Sequence, residues 1–259
     1  MSDFSKSTVL IKIGGSTLGV DDTSFADVAA LCKSHARVVV VHGGGPEITL
    51  WMAKVGVRSE FVQGLRVTDE AGLDVAIAVL AGLINKRIVS EIASYGVSAI
   101  GLSGADGGLL RGTITNEELG FVAGTVEVDP RPLDILLEGG HVPVISPIAV
   151  QATNTHQLLN VNADTVAGAV AVAIGATHLI FLTDVDGILD SNGSLIRRVP
   201  HNTGGDLIAS GVVKGGMIPK LEGCLTAGAA GISAYIVNGT QTGALLGCLE
   251  GTAVGTAVG

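Results

Sequence analysis

A chain of 259 residues, 47% of them hydrophobic, has enough apolar surface for one large α/β unit or two closely packed lobes. Its formal net charge of −9 argues against a nucleic-acid partner, because phosphate backbones attract basic surfaces. Mean hydropathy is high at +0.55, yet no apolar run approaches the roughly 20 residues that span a bilayer, which argues against a membrane protein.

In chain order, the first buried strand is expected over 8–13, followed by a helix over 24–34. A second strand over 37–42 leads into a helix over 46–55, with proline near its start. Residues 60–68 read as a hairpin projecting from the sheet, and a long helix over 69–95 follows, interrupted near Gly82. Then come a strand over 98–102, a second projecting hairpin over 113–126, a helix over 130–138 and a strand over 142–146. The last third reads as helix 163–174, strand 178–183, helix 217–229 and strand 233–237. Short β-branched runs alternating with Ala/Leu-rich segments predict an α/β fold, a three-layer αβα sandwich around a central, mainly parallel sheet. A lobe boundary is expected at Gly175, separating 1–175 from 176–259, with one sheet continuous through both. The pentapeptide Gly-Thr-Ala-Val-Gly occurs twice in residues 251–259, where a terminal strand and a frayed tail are expected.

Cys32, Cys224 and Cys248 are odd in number and lack C-x-x-C spacing, so they read as reduced thiols. The N-terminus shows no charged segment followed by an apolar stretch, and a cytoplasmic location is expected.

Two of the 38 glycines' clusters carry the chemistry. Gly14-Gly15 follows the first strand and Gly43-Gly44-Gly45 follows the second. Both sit where a strand gives way to a helix, so backbone N–H groups and a helix N-terminus can meet an anion. Each cluster alone is equally compatible with a tight turn; two on consecutive strands would line one edge of a parallel sheet, where ligands bind. Neither matches the G-x-x-x-x-G-K-[ST] loop or the G-x-G-x-x-G fingerprint. Lys12 interrupts an otherwise buried strand, which requires an anionic partner or an exit to solvent. Lys220 opens a helix after Gly215-Gly216 and alone would be ordinary surface charge. His42 reads as a strand-end cap, and His178 and His201 as incidental.

Six segments in order, 12–15, 41–45, 64–69, 160–164, 183–188 and 215–220, resemble the amino acid kinase family along nearly the whole chain. The resemblance implies ATP-dependent phosphorylation of the γ-carboxylate of N-acetyl-L-glutamate, a step of arginine biosynthesis. It implies that Lys12 and Lys220 neutralise the phosphoryl oxygens while Asp164 orients both lysines, with Gly14 and Gly15 in the phosphate-binding loop. Gly44 and Gly45 would donate N–H groups, Arg66 would clamp a substrate carboxylate, and Asn160 would bind the α-carboxylate or acetamido group. The N-terminal lobe would hold the acyl amino acid and the dimer contact, and the C-terminal lobe would hold ATP. Asp184, Val185, Asp186, Gly187, Ile188 and Leu189, with Val212, Val213 and Lys214, would surround the nucleotide. Asp184 and Asp186 are also ordinary turn formers. Mg²⁺ would arrive with ATP, since no compact carboxylate cage is visible and no metal ligand is assigned.

The resemblance further implies a homodimer, with helix 69–95 as its surface. About seven residues precede the first strand, too few for the extra helix of arginine-regulated members, so insensitivity to arginine is expected. Lys214 and the tail 252–259 depart from the family pattern. Two alternatives are a kinase for carrier-protein-linked aminoadipate or glutamate and a non-catalytic effector-binding sensor. Both lysines are present, which speaks against the sensor.

Overall fold

The computed structural model describes residues 4–15, 24–62, 64–252 and 255–259. Ser16, beside the first glycine cluster, and residues 253–254 of the repeated pentapeptide lie outside the described residues.

Among the described residues, eight strands form the central sheet. In spatial order they are β13 (Arg198–Val199), β15 (Gly255–Val258), β14 (Ser233–Asn238), β12 (His178–Thr183), β1 (Thr8–Ile13), β2 (Arg37–His42), β9 (Val142–Ser146) and β5 (Ala99–Ser103). Every pairing from β14 to β5 is parallel, and β15 runs antiparallel to β14. Because β1 lies between β12 and β2, the sheet is unbroken across residue 175.

One face is covered by α1 (Ser24–Lys33), α2 (Gly45–Lys54), α3 (Glu70–Ile77), α4 (Asn85–Ser94) and α9 (Ala244–Leu249). The other carries α5 (Arg131–Glu138), α6 (Ala163–Ala173) and α8 (Met217–Ala229), with α7 (Gly204–Ala209) against α8. The three layers expected from the alternating pattern are present. Strand periodicity decides what each layer receives. Val9 and Ile11 enter the α1–α4 layer, whereas Leu10 enters the α6–α8 layer, and Lys12 shares its side. In β2, Val39 and Val41 face α6, while Val38 and Val40 face the opposite way.

The hairpin expected at 60–68 is present as β3 (Glu60–Val62) and β4 (Leu65–Val67). The one expected at 113–126 is not a lone projection. β6 (Leu110–Thr113) and β8 (Thr125–Val128) pair antiparallel, but they belong to a five-stranded sheet with β7 (Val122–Ala123), β10 (Ile148–Gln151) and β11 (Leu158–Val161). That sheet packs into the core beneath α5 and α6.

The long helix does not break at Gly82. A π-helical stretch, Ala78–Ile84, joins α3 to α4. Buried side chains step by four from Ala76 through Leu80, Ile84 and Ile88 to Ile92, wider than the 3.6-residue turn, and the wide π turns absorb that drift. The tail is tied down rather than frayed at its end: Thr256 is fully buried and the Gly259 N–H donates to the Val199 carbonyl. Among the described residues, no helix is long and apolar enough to cross a membrane.

Candidate active site

The C-terminal ends of β1, β2 and β12 share one edge of the sheet, and α6 begins beside it. Asn162 caps that helix, its Oδ1 accepting the N–H groups of Asp164 at 2.8 Å and Thr165 at 3.3 Å. Asp164 is thereby held in the first turn, on the α6 side of β1 where Lys12 points. Lys12 Nζ lies 2.8 Å from Asp164 Oδ1, and Lys220 Nζ lies 3.0 Å from Oδ2. Two lysines from opposite ends of the chain thus meet on one carboxylate.

Close helix contact makes this reach possible. A Cβ on Gly168 of α6 would stand 3.1 Å from the Gly223 Cα of α8. The two glycines let the helices approach, and Lys220 sits one turn before Gly223 on α8.

The cluster is nearly dry. Lys12 and Asp164 side chains are each 6% exposed and Lys220 is 14% exposed. Burial pulls the Lys12 pKa below its usual value against the attraction of Asp164, and Lys220 adds to the fall. For Asp164, burial pushes upward, but the two ammonium groups together hold its carboxyl below the usual carboxylate range. With all three ionised, the cluster carries a surplus positive charge that a ligand anion would complete.

A cleft of about 210 Å³ opens from this cluster. Lys12, Asp164, Gly15, Gly44, Gly45, Arg66 and Asn160 all line it. The two glycine loops touch, since a Cβ on Gly15 would be 3.1 Å from Gly44 Cα. Gly14 does not line the cleft; its N–H donates to the Leu182 carbonyl and closes the sheet. Gly44 is the N-cap of α2 and Gly45 its first residue, so N–H groups there have no acceptor within the helix.

Arg66 on β4 is 9% exposed. Its Nη2 donates to the Gly45 carbonyl at 2.9 Å and Thr49 Oγ1 at 2.8 Å, and Nη1 donates to Ser59 Oγ at 2.7 Å. Its guanidinium carbon lies over the Phe61 ring, 4.6 Å from the ring centre. Burial lowers its pKa, and among the described residues no carboxylate pairs with it. Asn160 Nδ2 donates to Thr68 Oγ1 at 3.2 Å.

The residues assigned to the nucleotide follow β12 and precede α8, and none of them lines this cleft. Asp184, Val185, Asp186, Leu189 and Lys214 are exposed, and Val212 is half-buried. Ile188 and Val213 turn into the core, and Gly187 is buried. The Ile188 N–H donates to Thr256 Oγ1, and Asp186 Oδ1 accepts from Asn238 and Gln241. Among the described residues no group of three or more His, Cys, Asp or Glu could hold a metal ion, and both Asp164 oxygens face lysines.

Asn162, Phe61, Leu65 and Leu80 also line the cleft, without a role expected from the sequence. The Asn162 cap was legible as an Asn two residues before Asp164; the apolar lining carries no pattern of its own.

A parallel sheet edge with glycine turns, two lysines and a shared carboxylate is chemically suited to receive an anion. The amino acid kinase family model matches residues 7–238, and the chain belongs to that family. Acetylglutamate kinase from Dehalococcoides mccartyi is 41% identical over 262 residues, covering 100% of this chain and 96% of the relative. Acetylglutamate kinase from Thermosynechococcus vestitus is 44% identical over 251 residues, covering 94% of this chain and 84% of the relative. Among solved structures, smu.665 from Streptococcus mutans is similar with a TM-score of 0.82 and 28% identity, covering 89% of this chain and 94% of that one.

Proposed function

We propose that this chain is an ATP-dependent kinase that phosphorylates the γ-carboxylate of N-acetyl-L-glutamate, giving N-acetyl-γ-glutamyl phosphate for arginine biosynthesis. The observation that carries this reading is the convergence of Lys12 and Lys220 on Asp164 at the head of a glycine-lined cleft. A γ-carboxylate is already ionised at neutral pH, so its attack on phosphorus needs no general base. The obstacle is that one anion must approach another. Catalysis then reduces to positioning and charge neutralisation.

Lys12 and Lys220 supply cations to the transferring phosphoryl group, and Asp164 holds both in place. The N–H groups of Gly44 and Gly45 donate to its oxygens at the positive end of α2. Arg66, buried without a carboxylate, takes the substrate α-carboxylate, and Asn160 binds the α-carboxylate or acetamido group. ATP lies against 184–189 and 212–214 in the C-terminal lobe, 176–259, and the acyl amino acid lies in the N-terminal lobe, 1–175. Mg²⁺ enters as part of the nucleotide substrate. The outward stripe of the long helix, Ala71, Ala78 and Gly82, supports the homodimer we assign to this enzyme. Three free cysteines support a cytoplasmic setting.

The test incubates the purified protein with ATP, Mg²⁺ and hydroxylamine, which traps an acyl phosphate as its hydroxamate. Hydroxamate should form with free N-acetyl-L-glutamate. Formation only with a carrier-linked substrate, or with none, contradicts the assignment.

A further inference from the structure

Lys12 approaches the glycine loop from the α6 side of the sheet, where a Cβ on Gly43 would stand 3.7 Å from its Nζ. On the opposite side, the same loop rests on a buried titratable group that the chemistry above does not use. His42, the last residue of β2, is fully buried. Its Nδ1 lies 2.9 Å from the Gly43 carbonyl oxygen. A carbonyl can only accept, so Nδ1 carries the proton and Nε2 offers a lone pair. Asn85 Nδ2 stands 3.3 Å from that Nε2 and donates to the Val144 carbonyl at 2.8 Å. Asn85 Oδ1 accepts from Lys86 Nζ at 2.9 Å, which fixes the orientation of the amide.

A neutral imidazole satisfies every partner, whereas an imidazolium would set an N–H against the Asn85 amide N–H. Burial brings the His42 pKa down to about 4; the Gly43 carbonyl opposes the fall, and the charges of Lys12 and Lys86 add to it. Two glycines make room for this scaffold. A Cβ on Gly101 of β5 would come within 1.9 Å of Asn85 Oδ1. One on Gly44 would come within 2.3 Å of Ile84 Cδ1, in the π-helical stretch that delivers Asn85.

The consequence follows from the peptide unit. In a planar trans peptide the C=O of Gly43 and the N–H of Gly44 point in opposite directions. Holding the carbonyl against His42 therefore aims the next N–H away from the α4 side. We infer that His42 and Asn85 are positioning residues of the phosphoryl-transfer loop, orienting the Gly43–Gly44 peptide so that its N–H faces the transferring group. This inference rests on the proposed role of the Gly44 N–H.

Three variants and one spectrum test it. His42→Phe keeps a flat ring and removes both nitrogens; kcat should fall about 10²-fold, the cost of a misplaced donor, with both KM values held within about threefold. His42→Asn keeps a donor near the Nδ1 position and should retain most of kcat. A folded His42→Phe enzyme with wild-type kcat, or an Asn variant as impaired as the Phe variant, overturns the inference. Lys12→Ala run alongside separates the two readings. Loss in Lys12→Ala with full turnover in His42→Phe sinks the His42 role alone, and full turnover in both sinks the kinase assignment of the site. In the unaltered enzyme, ¹⁵N NMR of the His42 ring at pH 7 should show the neutral Nδ1–H tautomer. An Nε2–H tautomer or an imidazolium overturns the inference without any variant.

Discussion

The glycine loop after β2 is held from two sides by chemically opposite means. On the α6 side stand three ionisable groups, Lys12, Asp164 and Lys220. On the α4 side stand neutral groups, His42 and Asn85, with every ring nitrogen satisfied. Burying charge is costly unless partners or a ligand complete it, and the surplus positive charge of the first set is what an incoming phosphoryl group would meet. The neutral set leaves no charge for a ligand to complete, so its contribution is geometric. A single sheet edge can thus separate the binding of charge from the aiming of backbone donors.

The comparison breaks most visibly at Asp164. Asp164→Asn leaves two buried ammonium groups without their carboxylate, and unfolding free energy should fall by about 3–5 kcal/mol in urea titrations. The pH dependence has a definite sign. The folded Asp164 pKa lies below its unfolded value, so the unfolded chain binds more protons as pH falls. Its stabilisation is present at neutral pH and disappears as pH drops below about 5 towards the lowered pKa. That acid slope should flatten in Asp164→Asn, and an unchanged slope would mean the carboxylate is not held by the lysines.

Arg66→Ala should raise KM for the amino-acid substrate about 10–100-fold, the worth of a hydrogen bond to a charged group, with a much smaller change in kcat. An unchanged KM would remove Arg66 from substrate recognition. Gly168→Ala sharpens the comparison most gently. It pushes α8 from α6 and should cost about 1–3 kcal/mol by overpacking, with reduced turnover through Lys220 and an unaltered His42 tautomer. A shifted tautomer would show that the two sides are not independent.

Much of this was legible in the amino-acid sequence. β1, β2, β9 and β12 are β-branched or aliphatic runs with sharp ends, and Lys12 stood out as a charge inside an otherwise buried strand. The glycine clusters marked the edge where a ligand was expected, and the family resemblance pointed to Asp164. The second sheet was not legible, because β10 and β11 are four residues each and look like loop on either side of polar 152–157. The π-helical stretch was mistaken for an interruption, since Gly82 lowers helix propensity while a change of helical pitch leaves almost no trace in composition. His42 read as a strand-end cap. Its carbonyl bond fits that description, but its partner Asn85 lies in a distant helix that no local pattern reveals.

The most direct measurement is hydroxamate formation across Lys12→Ala, Lys220→Ala and the double variant, with folding monitored by circular dichroism. Each single change should lower turnover by about 10²–10³-fold, and the double should fall by less than the product, because both lysines serve one phosphoryl group through one carboxylate. A folded single variant that turns over like the unaltered enzyme would contradict the account.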